Sequence, residues 1–328
     1  MSFNQFVLRE QYKKMKGLGD RLQHMKESID WKPFIPIVKS VFHDGEIQGG
    51  RPHTDEILVV RMMTLQSWYG MSDEDLEYQI HDRLSFRNYL GFPEVIPDFT
   101  TIWKIRERLV TSGKDKLIWD ELQRQLDAKG YRIEKGVIQD ATFIEADLGK
   151  KRYAEEKKAK KEGRIVTYTP KQISHIDQDA TFGIKSKQIH FGYKDHIKTD
   201  VDHHLVRKIE VTPANVHDNN IDLVTEGDIA AYRDRGYSGK DLNALGVNDM
   251  TMIRKDKDKD WVKSLNKAFS KIRAPGERPF SVVKRIFNGA RIYVKNIQRV
   301  FAKEMFKFFA YNLYHLVTLE RKKLAAAL

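Results

Sequence analysis

The chain has 328 residues, a formal net charge of +12, 32% charged residues and no cysteine. The lack of cysteine excludes disulfides and thiolate metal sites, and the basic excess points to a polyanionic partner, nucleic acid ahead of an anionic membrane surface. The most apolar stretch, Phe308–Val317, is about half the length that a membrane span needs. Charged and polar residues interrupt residues 1–23 too often for a secretory leader, so no membrane partner is expected.

Residues 1–50 are mixed, with Pro33 and Pro36 breaking long elements and Gly45, Gly49 and Gly50 marking a loop. Helical patterning begins after Thr54: Asp55 and Glu56 fit a first turn, and Leu58, Met62, Leu65 and Tyr69 fall on one face until Gly70 stops the run. Ser72-Asp-Glu-Asp75 supplies a capping pattern for a second helix with Leu76 and Ile80. After the loop Gly91–Asp98, Thr100 or Thr101 caps a third helix, with Ile102, Ile105 and Leu109 inward and Lys104, Arg106 and Arg108 among its polar positions. Three short helices with Gly-containing connections suit either a helix-turn-helix-like unit or an ordinary bundle with a basic face.

Val137–Ile144 reads as a central strand with Asp140 in its middle. A bare carboxylate there costs several kcal/mol unless something neutralises it. Gly149–Gly163 carries seven Lys/Arg and three Glu and reads as a solvated loop or short helix. Gln188–Ile197, with alternating Ile189, Phe191 and Tyr193, and His204–Val211 predict an antiparallel hairpin turning at 199–202. Pro213–Leu223 reads as a turn into a helix. Asp228–Asp234 is a short strand that ends on a carboxylate, and the following Gly236 permits a tight turn. Val247–Ile253 is a fifth strand, and the chain is helical from Trp261 to Arg321 with breaks at Pro275-Gly276 and Asn288-Gly289. The order implies a mixed five-stranded sheet flanked by helices.

Glu277 starts a helix, and Lys284, two turns on, shares its face. Lys271–Lys303 holds nine Lys/Arg and a single acid, Glu277 itself. Asp140, Asp234 and Glu277 together offer the hard oxygen donors that Mg²⁺ or Mn²⁺ prefers, and two such ions suit in-line attack on a phosphodiester. Glu145, Asp147, Asp177 and Asp179 are rival ligands, and His190, His196, His203, His204 and His217 fit no zinc spacing. His217 and Asp218 read as turn residues.

On these motifs the sequence resembles the DDE transposases of prokaryotic insertion sequences, family five, from about Arg51 to Arg321. The resemblance rests on Gly50-Arg-Pro52, Pro97-Asp-Phe-Thr-Thr101, Gln139–Ile144, Phe191-Gly-Tyr-Lys194, Thr212–Asp218, Asp234-Arg-Gly-Tyr237 and the Arg273, Glu277, Lys284 signature. One departure is Ser270, where the wider signature has Tyr. The resemblance implies an α/β, RNase H-like catalytic core (131–322, with a basic insert at 149–187), preceded by an all-helical domain (1–130) for DNA-end binding or dimerisation. Residues 323–328 read as a vector-derived tail.

It further implies a catalytic and metal-binding triad of Asp140, Asp234 and Glu277, two Mg²⁺ (or Mn²⁺) per site, and phosphate contacts from Arg273 and Lys284. Arg278, Arg285 and Arg291 in the same basic stretch, with Lys104 and Arg108 on the third helix, are further candidates for DNA contact. The implied partners are terminal inverted repeats, target DNA and a second copy of the chain, at the cytoplasmic nucleoid. Two other readings stay open: a domesticated or regulatory DNA-binding protein, and a metal-dependent nuclease without strand transfer.

Overall fold

Side-chain caps set the helix starts early in the chain. The Asp55 carboxylate accepts from Leu58 N at 2.8 Å, Ser72 Oγ from Asp75 N at 3.0 Å and Asp98 from Thr101 N at 2.6 Å, each satisfying a backbone donor that the helix leaves open. The cap of the third predicted helix is therefore Asp98, not Thr100 or Thr101. The computed structural model describes residues 2–42, 53–185, 187–240, 242–253 and 260–326; Gly50-Arg-Pro52 and the glycines of its loop lie outside them. It comprises two units, Met1–Arg132 with Met305–Leu328, and Ile133–Glu304.

The first unit is helical: α1 (Phe3–Met15), α2 (Arg21–Glu27), α3 (Ile35–Lys39), α4 (Glu56–Tyr69), α5 (Asp73–Asp82), α6 (Leu84–Leu90), α7 (Phe99–Thr111) and α8 (Asp115–Ala128). α6 lies between the second and third helices expected from sequence. α4 is buried on nearly every side from Leu58 to Trp68, because α3, α5, α6 and α7 all pack on it; the one-faced reading underestimates it. Arg106, expected at a polar position, is buried and makes a bidentate pair with Asp73 at 2.8 and 2.6 Å, which locks α7 to the start of α5. Lys26 donates to Asn88 O and Arg9 to Gly91 O at the carboxyl end of α6, where cations oppose the helix dipole. The later part of the long final helix completes this unit. Phe309 meets Trp31 and Phe34, and Tyr314 stands edge-on to Trp68 at 5.5 Å; the apolar run near Phe308 is core.

The second unit carries a mixed sheet of six strands: β1 (Val137–Glu145), β2 (Thr181–Lys185), β3 (Gln188–Asp200), β4 (Val206–Pro213), β5 (Ala230–Arg233) and β6 (Asn248–Asp249). Their order is β2-β3-β1-β5-β6, with β4 also on β3. β1 pairs antiparallel with β3 and parallel with β5. The sixth strand is β2, which the expectation of five strands missed because it lies inside the basic insert. That insert forms α9 (Lys150–Lys161), α10 (Pro170–Ser174) and β2. The helices α11 (Asp260–Arg273), α12 (Arg278–Arg285) and α13 (Ile297–Ala326) follow, with a tight 3₁₀ turn, Ala274–Glu277, joining the first two.

Pro213–Leu223 does not lead into an α-helix. Apart from a 3₁₀ turn at Asp218–Asn220 it is irregular, and buried polar side chains of the sheet hold it. Lys194 donates to Val216 O and Asp218, Gln139 donates to Ile221 O and accepts from Leu223 N, and Lys198 reaches Thr225 and Asp228. These bonds satisfy the segment's backbone where a helix would otherwise do so. The Val247–Ile253 strand is present only as the two residues of β6.

Candidate active site

Alternation along β1 places Ile138, Asp140 and Thr142 on one face and Gln139, Ala141 and Phe143 on the other. The α11–α12 segment reads onto the Asp140 face at three points. Gly276 sits on Ile138 so closely that a Cβ there would stand 2.6 Å from Ile138 Cγ2. Arg273 Nη1 lies 3.3 Å from Asp140 Oδ2. Lys284 Nζ donates to Thr142 Oγ1 at 2.6 Å and to Phe143 O at 2.7 Å.

β5 supplies the second acid. The parallel register pairs Ile138 with Tyr232 and Gln139 with Arg233, so Asp140 and Asp234 stand at adjacent positions of neighbouring strands. Asp234 follows the last residue of β5 and caps the Arg235–Tyr237 turn, accepting from Gly236 N at 2.7 Å. Burial, above all, raises the Asp140 carboxyl above its ordinary range; Arg273 opposes this and the Asp234 charge adds to it. Tyr237, the last residue of this turn, is 1% exposed; burial above all disfavours its ionisation, and the charges of Asp218, Asp140 and Asp234 add to it.

Glu277 is exposed at the head of α12, one residue after the Gly276–Ile138 contact. Among the described residues, no three His, Asp or Glu side chains are gathered tightly enough to hold one ion. The structure thus brings Asp140 and Asp234 together and leaves Glu277 beside them without joining it to them. Two adjacent carboxylates, one disfavoured by burial and by its neighbour's charge, still fit a hard divalent cation, because such an ion relieves both penalties.

The rival ligands are engaged elsewhere. Glu145 pairs with His190 at 2.6 Å, Asp147 accepts from Gly149 N, Asp177 from the Tyr193 hydroxyl, and Asp179 from Ile297 N. His196 is buried against Thr212, and His217 accepts from Asn219 N as a turn residue. Arg278, Arg285 and Arg291 are exposed around α12. Lys104 and Arg108, one turn apart and exposed on α7, line a cleft of about 910 Å³ in the first unit.

Sequence reasoning missed the opposite face of the sheet, where Lys194, His196, Lys198 and Arg233 are all buried. A lysine-histidine-lysine alternation reads as solvent-facing; the only signal against that was the concentration of Asp and Asn between 215 and 228 that would meet it.

Residues 9–108 match the family described as Transposase domain (DUF772), and residues 132–313, more than half of the chain, match the Transposase DDE domain family. No solved structure gave a significant match. Fold and site define an RNase H-like transposase core. The chain belongs to the DDE transposases of insertion sequences.

Proposed function

We propose that this transposase binds the terminal inverted repeats of its own element, hydrolyses phosphodiesters there to expose 3′-hydroxyls, and joins those ends to target DNA. The observation that carries this reading is the placement of Asp140 and Asp234 on neighbouring parallel strands, with Arg273 and Lys284 laid onto the same strand face. In cleavage, water adds to phosphorus and the 3′-oxygen leaves; in joining, the freed 3′-hydroxyl attacks a target phosphodiester and the target's own 3′-oxygen departs. Asp140, Asp234 and Glu277 would hold the divalent ions, Mg²⁺ or Mn²⁺, two per site. Bound there, such ions supply charge neutralisation at the attacking and leaving oxygens.

Arg273 balances the Asp140 charge and, with Lys284, gives a strand's phosphates a fixed cationic border. Arg278, Arg285 and Arg291 extend that border, and Lys104 and Arg108 give the helical unit its own DNA contact. Affinity should therefore fall steeply with salt. Joining two ends calls for a homodimer or larger synaptic complex, and DNA places the protein at the cytoplasmic nucleoid. The domain division follows the same reading: residues 1–130 handle DNA ends or pairing, and 131–322 carry the chemistry.

Incubating the protein with repeat-ended DNA and Mg²⁺ tests the proposal. Cleavage with joining supports it, cleavage alone indicates a nuclease, and binding without cleavage indicates a regulatory protein. Asp234→Asn should abolish both steps and leave binding intact; retained turnover overturns the assigned role.

A further inference from the structure

The β2–β3 hairpin presents an apolar pair where a sheet edge ordinarily avoids one. Ile184 and Ile189 are cross-strand partners, 73% and 69% exposed, whereas the alternation in sequence places Ile189 with the inward-facing Tyr193. Lys185 and Lys187 are exposed beside them. Lysine on an edge strand discourages pairing with another strand, yet it leaves the two isoleucines in water.

The base of the hairpin is clamped. A Cβ at Gly183 would collide with Ala214 O and the Phe143 ring, and Gly192, at φ +147, is pressed against Ile144 O. His190 stacks on Phe143 at 4.3 Å and pairs with Glu145. A rigid base under an exposed apolar end is a pre-organised arm. The arm also stands near the chemistry: its base packs on Phe143, three residues beyond Asp140 on β1, and the Phe143 carbonyl accepts from Lys284 Nζ at 2.7 Å.

We propose that this hairpin is a DNA-engaging arm: Ile184 and Ile189 pack against bases of the strand held at Asp140 and Asp234, while Lys185 and Lys187 contact its phosphates. The proposal rests on the transposase reading above. Apolar side chains inserted between bases and cations on the backbone are the two halves of one recognition mode. Charge complementarity selects DNA over a second copy of the chain, since edge-to-edge pairing of two hairpins would bring their lysines together. Bending or unstacking at the cleavage position is what such a wedge would provide.

The test uses the full chain and a duplex carrying the element's terminal repeat, with 2-aminopurine next to the cleavage position. The double substitution Ile184→Ser and Ile189→Ser lies on the surface, and an unchanged thermal midpoint will confirm folding. It should weaken binding about tenfold and abolish the 2-aminopurine brightening seen with the parent. The pair Lys185→Gln and Lys187→Gln should instead reduce the slope of log K against log salt by about 2. Unchanged affinity, brightening and slope in both variants overturn the arm while the parent's cleavage and joining leave the transposase reading intact. Loss of self-association without any DNA effect also overturns it, making the arm a subunit contact. A parent that neither binds nor cuts the duplex refutes both readings.

Discussion

Arg273 and Asp140, 133 residues apart in sequence, meet at 3.3 Å on the face of β1 against which the Ala274–Glu277 turn packs. The guanidinium does not fully offset the burial of the carboxylate, whose pKa stays above its ordinary value. A raised native pKa means that the folded state binds the proton more tightly than the unfolded one, so stability is lost as pH rises from the ordinary carboxyl value through the native one. Asp140→Asn should therefore abolish DNA cleavage and at the same time raise the thermal midpoint at pH 7. That gain should vanish below pH of about 4, which thermal melts across pH will read directly.

Gly276 is the close-approach point between the turn before α12 and β1. Gly276→Ala puts a methyl group into Ile138 and should push Glu277 away from the carboxylate pair. The expected result is a loss of cleavage of about tenfold or more, as small displacements of reacting groups cost that much, with DNA affinity unchanged. Single-turnover cleavage and a binding isotherm on the same preparation separate the two.

Lys198 and Asp228 form an ion pair at 2.9 Å with both side chains nearly excluded from water, at 6% and 3% exposure. Breaking it by Asp228→Ala leaves a buried ammonium and should cost about 3–5 kcal/mol, measured by urea unfolding. The double change Lys198→Met with Asp228→Leu removes both charges and should recover most of that loss. If the single variant unfolds at the parent's denaturant midpoint, the pair does not hold the segment over the sheet.

His196 is buried beside Lys194 and Asp218, and burial pulls its pKa down to about 4. The unfolded chain binds this proton near pH 6.5, so the unfolded state holds more protons between those values and stability falls as pH drops through that window. The contribution to the slope approaches about 1.4 kcal/mol per pH unit. His196→Gln should flatten the stability profile between pH 6.5 and 4, as followed by denaturant titrations at fixed pH steps.

The parts of the molecule legible in sequence are those where local chemistry and tertiary position agree. Asp140 inside an apolar strand, Asp234 before a glycine turn, and the cap at Ser72 each announce themselves within a few residues, whereas Asp55, read into the first turn, is itself the cap. The segment after Pro213 did not, because its shape is imposed by Gln139, Lys194 and Lys198, which are distant in sequence and themselves look like surface residues. Arg106 was misread for the same reason: its partner Asp73 lies 33 positions away, and only that pairing makes a buried guanidinium tolerable. The strand at Thr181–Lys185 hid within a lysine-rich stretch whose composition outweighed five residues of pattern.

The long last helix begins in one unit and ends in the other, at residues 297–304 and 305–326. Its consequence is one of timing. A ribosome releases the first 132 residues early, yet the aromatic wall that Trp31, Phe34 and Trp68 require is synthesised last. The earliest part of the nascent chain thus waits with exposed rings until translation is nearly over, and a fragment ending at Arg132 would keep that unfinished surface permanently.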